Sequence, residues 1–243
     1  MSSERGLMGL LERNRKKLGD DLPTVAIRKN WSPAGFSIHK VTPDIIKEHA
    51  YGKTIDVGCG DMQYKDIIRA KVGEYDTVDK TKKKDAVKFQ GDAQDLHFIA
   101  DGTYDTVIST SVLEHLPNPF KAMSEMSRIL KKGGTLIVTA PMICQLHEEP
   151  YDFYRFTKYG FEFMLKDSGF EVQKIIPQAG IFSFLGHQFS MLFVCLFWGV
   201  PVLKWIVFGI NFIICVIPCY VLDKIFDRGK KLALGYTCVA KKI

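Results

Sequence analysis

The sequence has no Cys-x-x-Cys pair. Its six cysteines (Cys59, Cys144, Cys195, Cys215, Cys219 and Cys238) stand apart, with no histidine at zinc-finger spacing. That scatter argues against a zinc framework and a disulfide scaffold, so no metal is expected and a reducing compartment fits best. No long apolar run opens the chain, and no cleaved signal peptide is expected. The formal charge of +6 comes from lysines and arginines in separate runs that lack interleaved aromatics, so nucleic acid is not an expected partner. A third glycine is also missing: after Gly58 and Gly60 none follows until Gly73. The close helix approach that a pyrophosphate needs is therefore absent. Charge is missing where it is most informative, because between positions 189 and 219 Lys204 is the only formally charged residue.

Residues 54–60, Thr-Ile-Asp-Val-Gly-Cys-Gly, join a β-branched strand to a glycine turn, the junction at which nucleotides bind in α/β sheets. A helix is expected at 63–70 and a second strand at 75–78. The second strand closes on Asp79, about 20 residues past the turn, where dinucleotide folds hold ribose hydroxyls. A short strand at 87–89 leads to Asp92 and Ala93. A strand at 104–109 runs into Ser-Val-Leu-Glu-His-Leu-Pro at 111–117, and Gly133-Gly134 precede a strand at 135–139. Pro117 and Pro119 favour a turn before a helix at 120–130.

These motifs resemble class I S-adenosylmethionine (SAM)-dependent methyltransferases of the ubiquinone-methyltransferase-like, type 11 group, over about residues 42–170 with a return at the C-terminus. The resemblance implies a Rossmann-like α/β fold with a seven-stranded sheet and an antiparallel last strand. SAM is the implied cofactor. It implies Asp56 at the amino-acid end of the cofactor, Gly58, Cys59 and Gly60 beneath it, Asp79 on the ribose, Asp92 and Ala93 at the adenine, and Ser111 as a further contact. His115 is expected to close the cofactor-side turn.

Residues 147–157, His-Glu-Glu-Pro-Tyr-Asp-Phe-Tyr-Arg-Phe-Thr, concentrate ionisable and aromatic side chains after the fifth strand. Thr157 can cap a helix at 158–168 ended by Gly169. The segment is similar to ones in bacterial methyltransferases of surface polysaccharides and lipid-linked glycans. His147 is a candidate general base, while Tyr154 and Arg155 are candidates to orient an anionic or sugar acceptor. Glu148, Glu149 or Asp152 offer an alternative in which His147 and Arg155 are structural ties.

The hydrophobic content of 47% is high for a wholly soluble enzyme. The apolar stretches 189–203 and 205–222 fall short of the about 20 residues of a straight membrane span, with Pro201 and Pro218 as interruptions. Lys204 is expected to snorkel or mark a bend. With strands expected at 170–176 and 232–240 pairing in one sheet, both ends of the insertion belong on one side of a membrane. A re-entrant or in-plane hairpin beside the active site follows, or less simply two compressed spans; packing on the soluble domain or a dimer interface is the alternative. Residues 5–18 read as a basic amphipathic helix, packed by its leucines or lying on the membrane. Residues 31–38 read as an irregular cover over the cofactor cleft, and Lys80 begins a lysine run in a solvated loop. Lys224, Arg228, Lys230 and Lys231 favour an anionic cytoplasmic leaflet.

The expected organisation is a basic N-terminal helix and cover (1–40), a SAM-binding domain (41–179), a membrane-associating insertion between strands six and seven (180–228), and the final strand (229–243). The expected activity is O-methylation of a lipid-linked or otherwise membrane-borne acceptor at the cytoplasmic face. A quinone or phenolic lipid methyltransferase is one alternative, and a catalytically idle SAM-fold subunit is another. Oligomeric state is not legible.

Overall fold

The structure is a computed structural model that describes residues 6–22, 27, 29–81, 87–227 and 229–243. In chain order its first half holds α1 (Leu7–Asp21), α2 (Pro33–His49), β1 (Lys53–Val57), α3 (Lys65–Arg69), β2 (Glu74–Asp79), β3 (Phe89–Gln90) and β4 (Tyr104–Thr110). There follow α4 (Pro119–Ile129), β5 (Leu130–Pro141), α5 (Lys158–Asp167), β6 (Phe170–Gln178), α6 (Ile181–Phe197), α7 (Pro201–Phe226) and β7 (Gly235–Lys242). The chain divides into two compact units, Val41–Pro177 with Gly235–Ile243, and Met1–Lys40 with Gln178–Leu234. The N-terminal segment and the apolar insertion, separate regions in the sequence reading, thus belong to one unit.

In the larger unit seven strands form one sheet in the order β3-β2-β1-β4-β5-β7-β6. β1 is parallel to β2 and β4, β4 is parallel to β5, and β7 runs antiparallel beside β5. This is the expected α/β methyltransferase sheet with its antiparallel last strand. Ile55, Val57, Val107, Ile108, Leu136, Ile137 and Val138 are completely buried. That explains why these strands read as near-continuous apolar runs rather than alternating ones. On one face Ile45, Ile46 and Ala50 of the helix before β1 pack with Tyr64, Ile68, Ile108, Ile137 and Val239. Strand order reverses between β1 and β4, so a crevice opens at their carboxyl ends.

Several elements depart from expectation. Residues 31–38 are not irregular: α2 starts at Pro33, where a missing N–H costs nothing, and Ser32 Oγ accepts the Gly35 N–H at 3.1 Å. The helix expected at 63–70 shortens to α3, because Met62 holds a left-handed φ of 54° and delays its start. The strand after Gly133-Gly134 begins earlier, with Leu130 already paired to Tyr104 across a bulge. The last strand begins at Gly235 rather than 232.

In the smaller unit α6 and α7 form a hairpin. Asp223, 2% exposed, accepts the N–H groups of Gly180, Phe182 and Ser183, and Asp227 accepts that of Ile181, so α6 is capped from the end of α7. A Cβ at Gly186 would lie 2.5 Å from Cys219 Sγ, so the two helices meet closely there. Ser190 and Asn211, both buried, are bonded at 2.8 Å across the hairpin. Pro218 does not interrupt the second helix. Residues Phe212–Val216 widen into a π-helical turn that absorbs the imino acid, and the helix runs on to Phe226. At 26 residues α7 is long and apolar enough to cross a membrane, whereas α6 has 17 residues.

The leucine-packed reading of the first helix describes α1. Leu18 and Leu22 cluster with Val194, Trp198 and Val207, and Asn14 donates to the Cys195 carbonyl at 2.8 Å. Lys204 stands in the first turn of α7, just past the turn between the two helices; its ammonium pairs with Asp21 at 2.6 Å and lies over the Trp198 and Trp205 rings. The Leu234 N–H donates to the Gln178 carbonyl at 2.9 Å, so the insertion leaves and returns at one point. Along α6, Leu185, Phe189, Leu192 and Leu196 are exposed at helical spacing. Along α7 the same holds for Val202, Ile206, Ile210, Ile213, Ile217, Val221 and Ile225, with Val202 73% and Ile213 68% exposed.

Candidate active site

The crevice begins with the turn after β1. The N–H groups of Gly58 and Cys59 both donate to the Val78 carbonyl, at 2.9 and 3.2 Å, which draws the turn toward the end of β2. Gly58 has φ 73°, and a Cβ there would lie 2.4 Å from Val112 Cγ2, so only glycine fits against the loop after β4. Gly60 has φ 46° and open space where a Cβ would stand. Burial, with Asp56 and Asp79 beside it, pushes the Cys59 thiol up to about 12, so it lines the turn as a neutral group.

Asp56 is the electrostatic centre. It is 4% exposed, its Oδ2 accepts the Tyr75 hydroxyl at 3.1 Å, and its Oδ1 has no partner among the described residues. Burial pushes its carboxyl up to about 7; the Tyr75 hydroxyl opposes this and the charge of Asp79 adds to it. Oδ1 is thus a buried acceptor left without a donor among the described residues.

Asp79 lies one residue beyond the Val57–Val78 pair. Its Oδ2 accepts the Gly60 N–H at 2.8 Å, and its Oδ1 accepts the Thr81 N–H and hydroxyl at 2.9 and 3.0 Å. Oδ1 is thereby filled, and Oδ2 keeps one lone pair for a further donor. The Gly91 N–H donates to the Asp79 carbonyl at 3.0 Å, placing Asp92 and buried Ala93 next along the rim. Partial burial raises the Asp92 carboxyl, but Gln94, through its N–H at 2.9 Å and side chain at 3.1 Å, and Lys80 at 3.7 Å hold it below its ordinary value. Of the expected lysine run, residues 82–84 lie outside the described residues. Ser111, exposed with φ 55°, hangs from Thr139 by its N–H at 3.0 Å and brings Val112 against Gly58.

The segment after β5 folds back over this rim. The Phe153 and Tyr154 N–H groups donate to the Glu114 carbonyl at 2.8 and 3.3 Å, the Tyr154 hydroxyl to the Pro117 carbonyl at 3.0 Å, and the Phe156 N–H to the Pro141 carbonyl at 2.8 Å. His115 closes its turn through Val112, as expected, and its Nδ1 also reaches the Tyr151 carbonyl at 2.6 Å. Its ring meets that of His147 edge to face at 4.7 Å. The Tyr151 ring lies 5.9 Å from Lys80 Nζ, so the segment spans the crevice from β4 to β2. Thr157 caps α5 through the Gly160 N–H, as expected.

Of the three candidate acceptor-side residues, His147 and Tyr154 stand with His115 and Glu114. Arg155 turns inward: its five N–H donors meet both Asp152 oxygens and the Cys144, Gln145 and Tyr154 carbonyls. The tie to Asp152 considered from the sequence is the arrangement observed for Arg155. That guanidinium holds the Asp152 carboxyl well below the usual range. Burial lowers the His147 imidazole, opposed by the Gln145 carbonyl, which favours the neutral ring. Sequence reasoning missed Tyr75, Thr81 and above all Glu114, which is 1% exposed and pushed by burial to about 7. Glu114 was visible beside His115, but nothing local marks its burial.

Residues 55–138 match the methyltransferase domain family. Over 69 residues the chain is 33% identical to the chloroplastic 2-methyl-6-phytyl-1,4-hydroquinone methyltransferase 2 of Oryza sativa subsp. japonica, covering 27% of this chain and 20% of that protein. Over 49 residues it is 39% identical to phosphatidylethanolamine N-methyltransferase of Cereibacter sphaeroides, covering 20% of this chain and 24% of that protein. The chain therefore spans about a fifth to a quarter of the lengths of these relatives. A SAM-dependent methyltransferase from Archaeoglobus fulgidus superposes with a TM-score of 0.51 at 19% identity, over 82% of this chain and 89% of that one, a likeness of fold. The family match starts inside β1 and ends inside β5, taking in every strand whose carboxyl end lines the crevice, and on that ground the chain carries a class I SAM-dependent methyltransferase domain.

Proposed function

We propose that the protein moves the methyl group of SAM onto a hydroxyl oxygen of a membrane-borne acceptor, such as a glycolipid or lipid-linked polysaccharide precursor, at the cytoplasmic face of a membrane. The observation that carries the membrane part is the pair of exposed apolar stripes on α6 and α7, a surface too large and continuous to be left in water. The insertion leaves and returns at Gln178 and Leu234, so a hairpin that enters and exits on one side accommodates it. Lys224, Lys230 and Lys231 suit an anionic leaflet; Arg228 lies outside the described residues.

When bound, SAM supplies an electrophilic methyl group. Asp56 takes the ammonium on Oδ1, Asp79 the ribose hydroxyls, and Asp92 with the Ala93 backbone the adenine. Most of the rate then comes from holding acceptor and methyl in line. Nδ1 of His147 is 3.2 Å from the Gln145 carbonyl, so it carries the ring proton and leaves the Nε2 lone pair to receive the acceptor's. Tyr154 lines the acceptor side, and Arg155 acts through Asp152, which accepts the His147 backbone N–H at 3.0 Å.

A quinol or phenolic lipid is the second reading, favoured by the 33% identity to a methyltransferase whose name specifies a phytyl hydroquinone. An idle SAM-fold subunit fits less well with an intact Asp56, Asp79 and Asp92. Incubation with methyl-labelled SAM and native membranes, followed by fractionation, separates these. Label in lipid-linked glycan supports the main reading, label in the quinone fraction the second, and SAM binding without any labelled product the idle subunit. In the same assay His147→Ala should lose at least a hundredfold in turnover at unchanged SAM affinity. Replacing residues 180–228 by a short polar turn should move the protein out of the membrane fraction; retention there refutes the hairpin's role.

A further inference from the structure

Glu114, His115 and His147 each bring one ligand-competent atom within 4.8 Å of the others. His115 Nε2 lies 3.8 Å from Glu114 Oε1, and the two imidazoles stand 4.7 Å apart at 76°. Their tautomers follow from their neighbours. His115 Nδ1 lies 2.6 Å from the Tyr151 carbonyl and His147 Nδ1 lies 3.2 Å from the Gln145 carbonyl. A carbonyl only accepts, so both rings carry hydrogen on Nδ1 and present a bare Nε2 lone pair. Backbone carbonyls bind the far nitrogen of metal-bound histidines in the same way, fixing tautomer and ring orientation.

The carboxylate adds an independent observation. Glu114 is 1% exposed, and its Oε2 has no hydrogen-bond partner among the described residues. The Arg155 guanidinium, which attracts it, spends its five donors on Asp152 and three carbonyls. The carboxylate receives its own backbone N–H, but a buried carboxylate oxygen left without a donor or a paired cation is costly. Two lone pairs aimed beside it make the deficit one that a metal cation, rather than another hydrogen bond, removes.

We propose that Glu114, His115 and His147 bind one divalent first-row transition ion through a carboxylate oxygen and two Nε2 atoms, leaving coordination positions open to an oxygen ligand. Two nitrogen donors and one carboxylate suit zinc, manganese or iron better than magnesium or calcium. Bonds of about 2.0–2.2 Å require the three donor atoms to draw together by about 1 Å. The spacing is invisible in the sequence, because an adjacent Glu-His pair in one loop is completed by a histidine from the next. Ion binding stands apart from the proposed activity; only the identity of the oxygen ligand rests on that reading. On that reading the ligand is the acceptor hydroxyl, which the ion would acidify; its proton leaves to water, because His147 Nε2 is then taken up by the ion.

The test is calorimetric titration of tag-free, chelator-stripped full-length protein with ZnCl2 and with MnCl2, alongside a SAM titration. One equivalent of Zn2+ or Mn2+ should bind. Glu114→Gln, His115→Gln and His147→Gln should each weaken it at least tenfold, while His97→Ala leaves it unchanged and all four bind SAM within about twofold of the parent. Absence of saturable one-equivalent uptake, or uptake that survives both His115→Gln and His147→Gln, overturns the site. Failure to bind metal with SAM binding intact rejects this inference alone, whereas failure of the parent protein to bind SAM rejects the methyltransferase reading, whatever the metal does.

Discussion

Asp56→Asn should make the ligand-free protein more stable at pH 8 while weakening SAM. Burial lifts the Asp56 carboxyl from 3.8 to about 7. The folded state therefore holds this proton more tightly than the unfolded chain does. Stability is greatest below the unfolded value and is lost as pH rises from about 4 through 7. A shift of roughly three units corresponds to about 4 kcal/mol at pH 8. Asparagine cannot ionise, but its amide takes the place of the unpartnered Oδ1 and leaves a buried donor unmet, which costs about 1–3 kcal/mol. The net gain is about 1–3 kcal/mol at pH 8; near pH 4, where only the unmet donor counts, the variant is instead less stable by about 1–3 kcal/mol. Glu114 is raised in the same window, so the measured quantity is the difference between parent and variant in thermal unfolding at pH 5 and pH 8, without SAM. With saturating SAM this gain is largely offset, because losing one charge-assisted hydrogen bond of about 1.5–3 kcal/mol weakens affinity about tenfold to a hundredfold. A variant less stable than the parent at pH 8, or one that binds SAM equally well, refutes this account of Asp56.

Asp79→Ala should weaken SAM by at least tenfold in calorimetry; it also frees the Gly60 N–H, so a near-parental circular dichroism spectrum is the necessary companion measurement. Gly58→Ala combines a φ of 73° with a Cβ 2.4 Å from Val112, and should cost about 2–4 kcal/mol in chemical denaturation with loss of SAM binding. Asp223→Ala strands three N–H groups at the start of α6 and should cost about 2–4 kcal/mol, read as faster limited proteolysis within 178–234; an unchanged cleavage rate would show that the cap is dispensable.

The parallel core of the sheet was legible because strands buried on both faces, such as β1 and β4, leave apolar runs, and every strand was placed within a few residues. The helices were less so, and proline explains most of the difference. Read as a breaker, Pro33 made 31–38 look irregular and Pro218 looked like an interruption of the second apolar stretch. One sits in a first turn behind a Ser32 cap, and the other is absorbed by a π-helical turn at Phe212–Val216. Whether a proline ends a helix depends on where its missing N–H falls, and that is a property of the helix rather than of the residue. The partner of Lys204 was not legible for a different reason, because Asp21 comes from the other end of the chain.

The strand ends that line the crevice were readable for a reason that the segment after β5 does not share. Asp56, Gly58, Gly60, Asp79 and Asp92 each follow directly from a strand end, so position in the sequence already implies position in space. His147, Tyr154 and Arg155 depend instead on how one irregular segment folds back, and their chemistry is decided by partners at Glu114, Gln145 and Asp152. Arg155 shows the consequence most clearly. In sequence it is a free cation in a loop rich in acids and aromatics, as good an anion clamp as any. In the structure its five donors are committed to the loop itself, which leaves Glu114 buried without a cation and sets His115 and His147 lone pairs beside it. The positive charge missing from this corner is therefore a product of the fold, created when Asp152 takes up the one guanidinium that attracts Glu114.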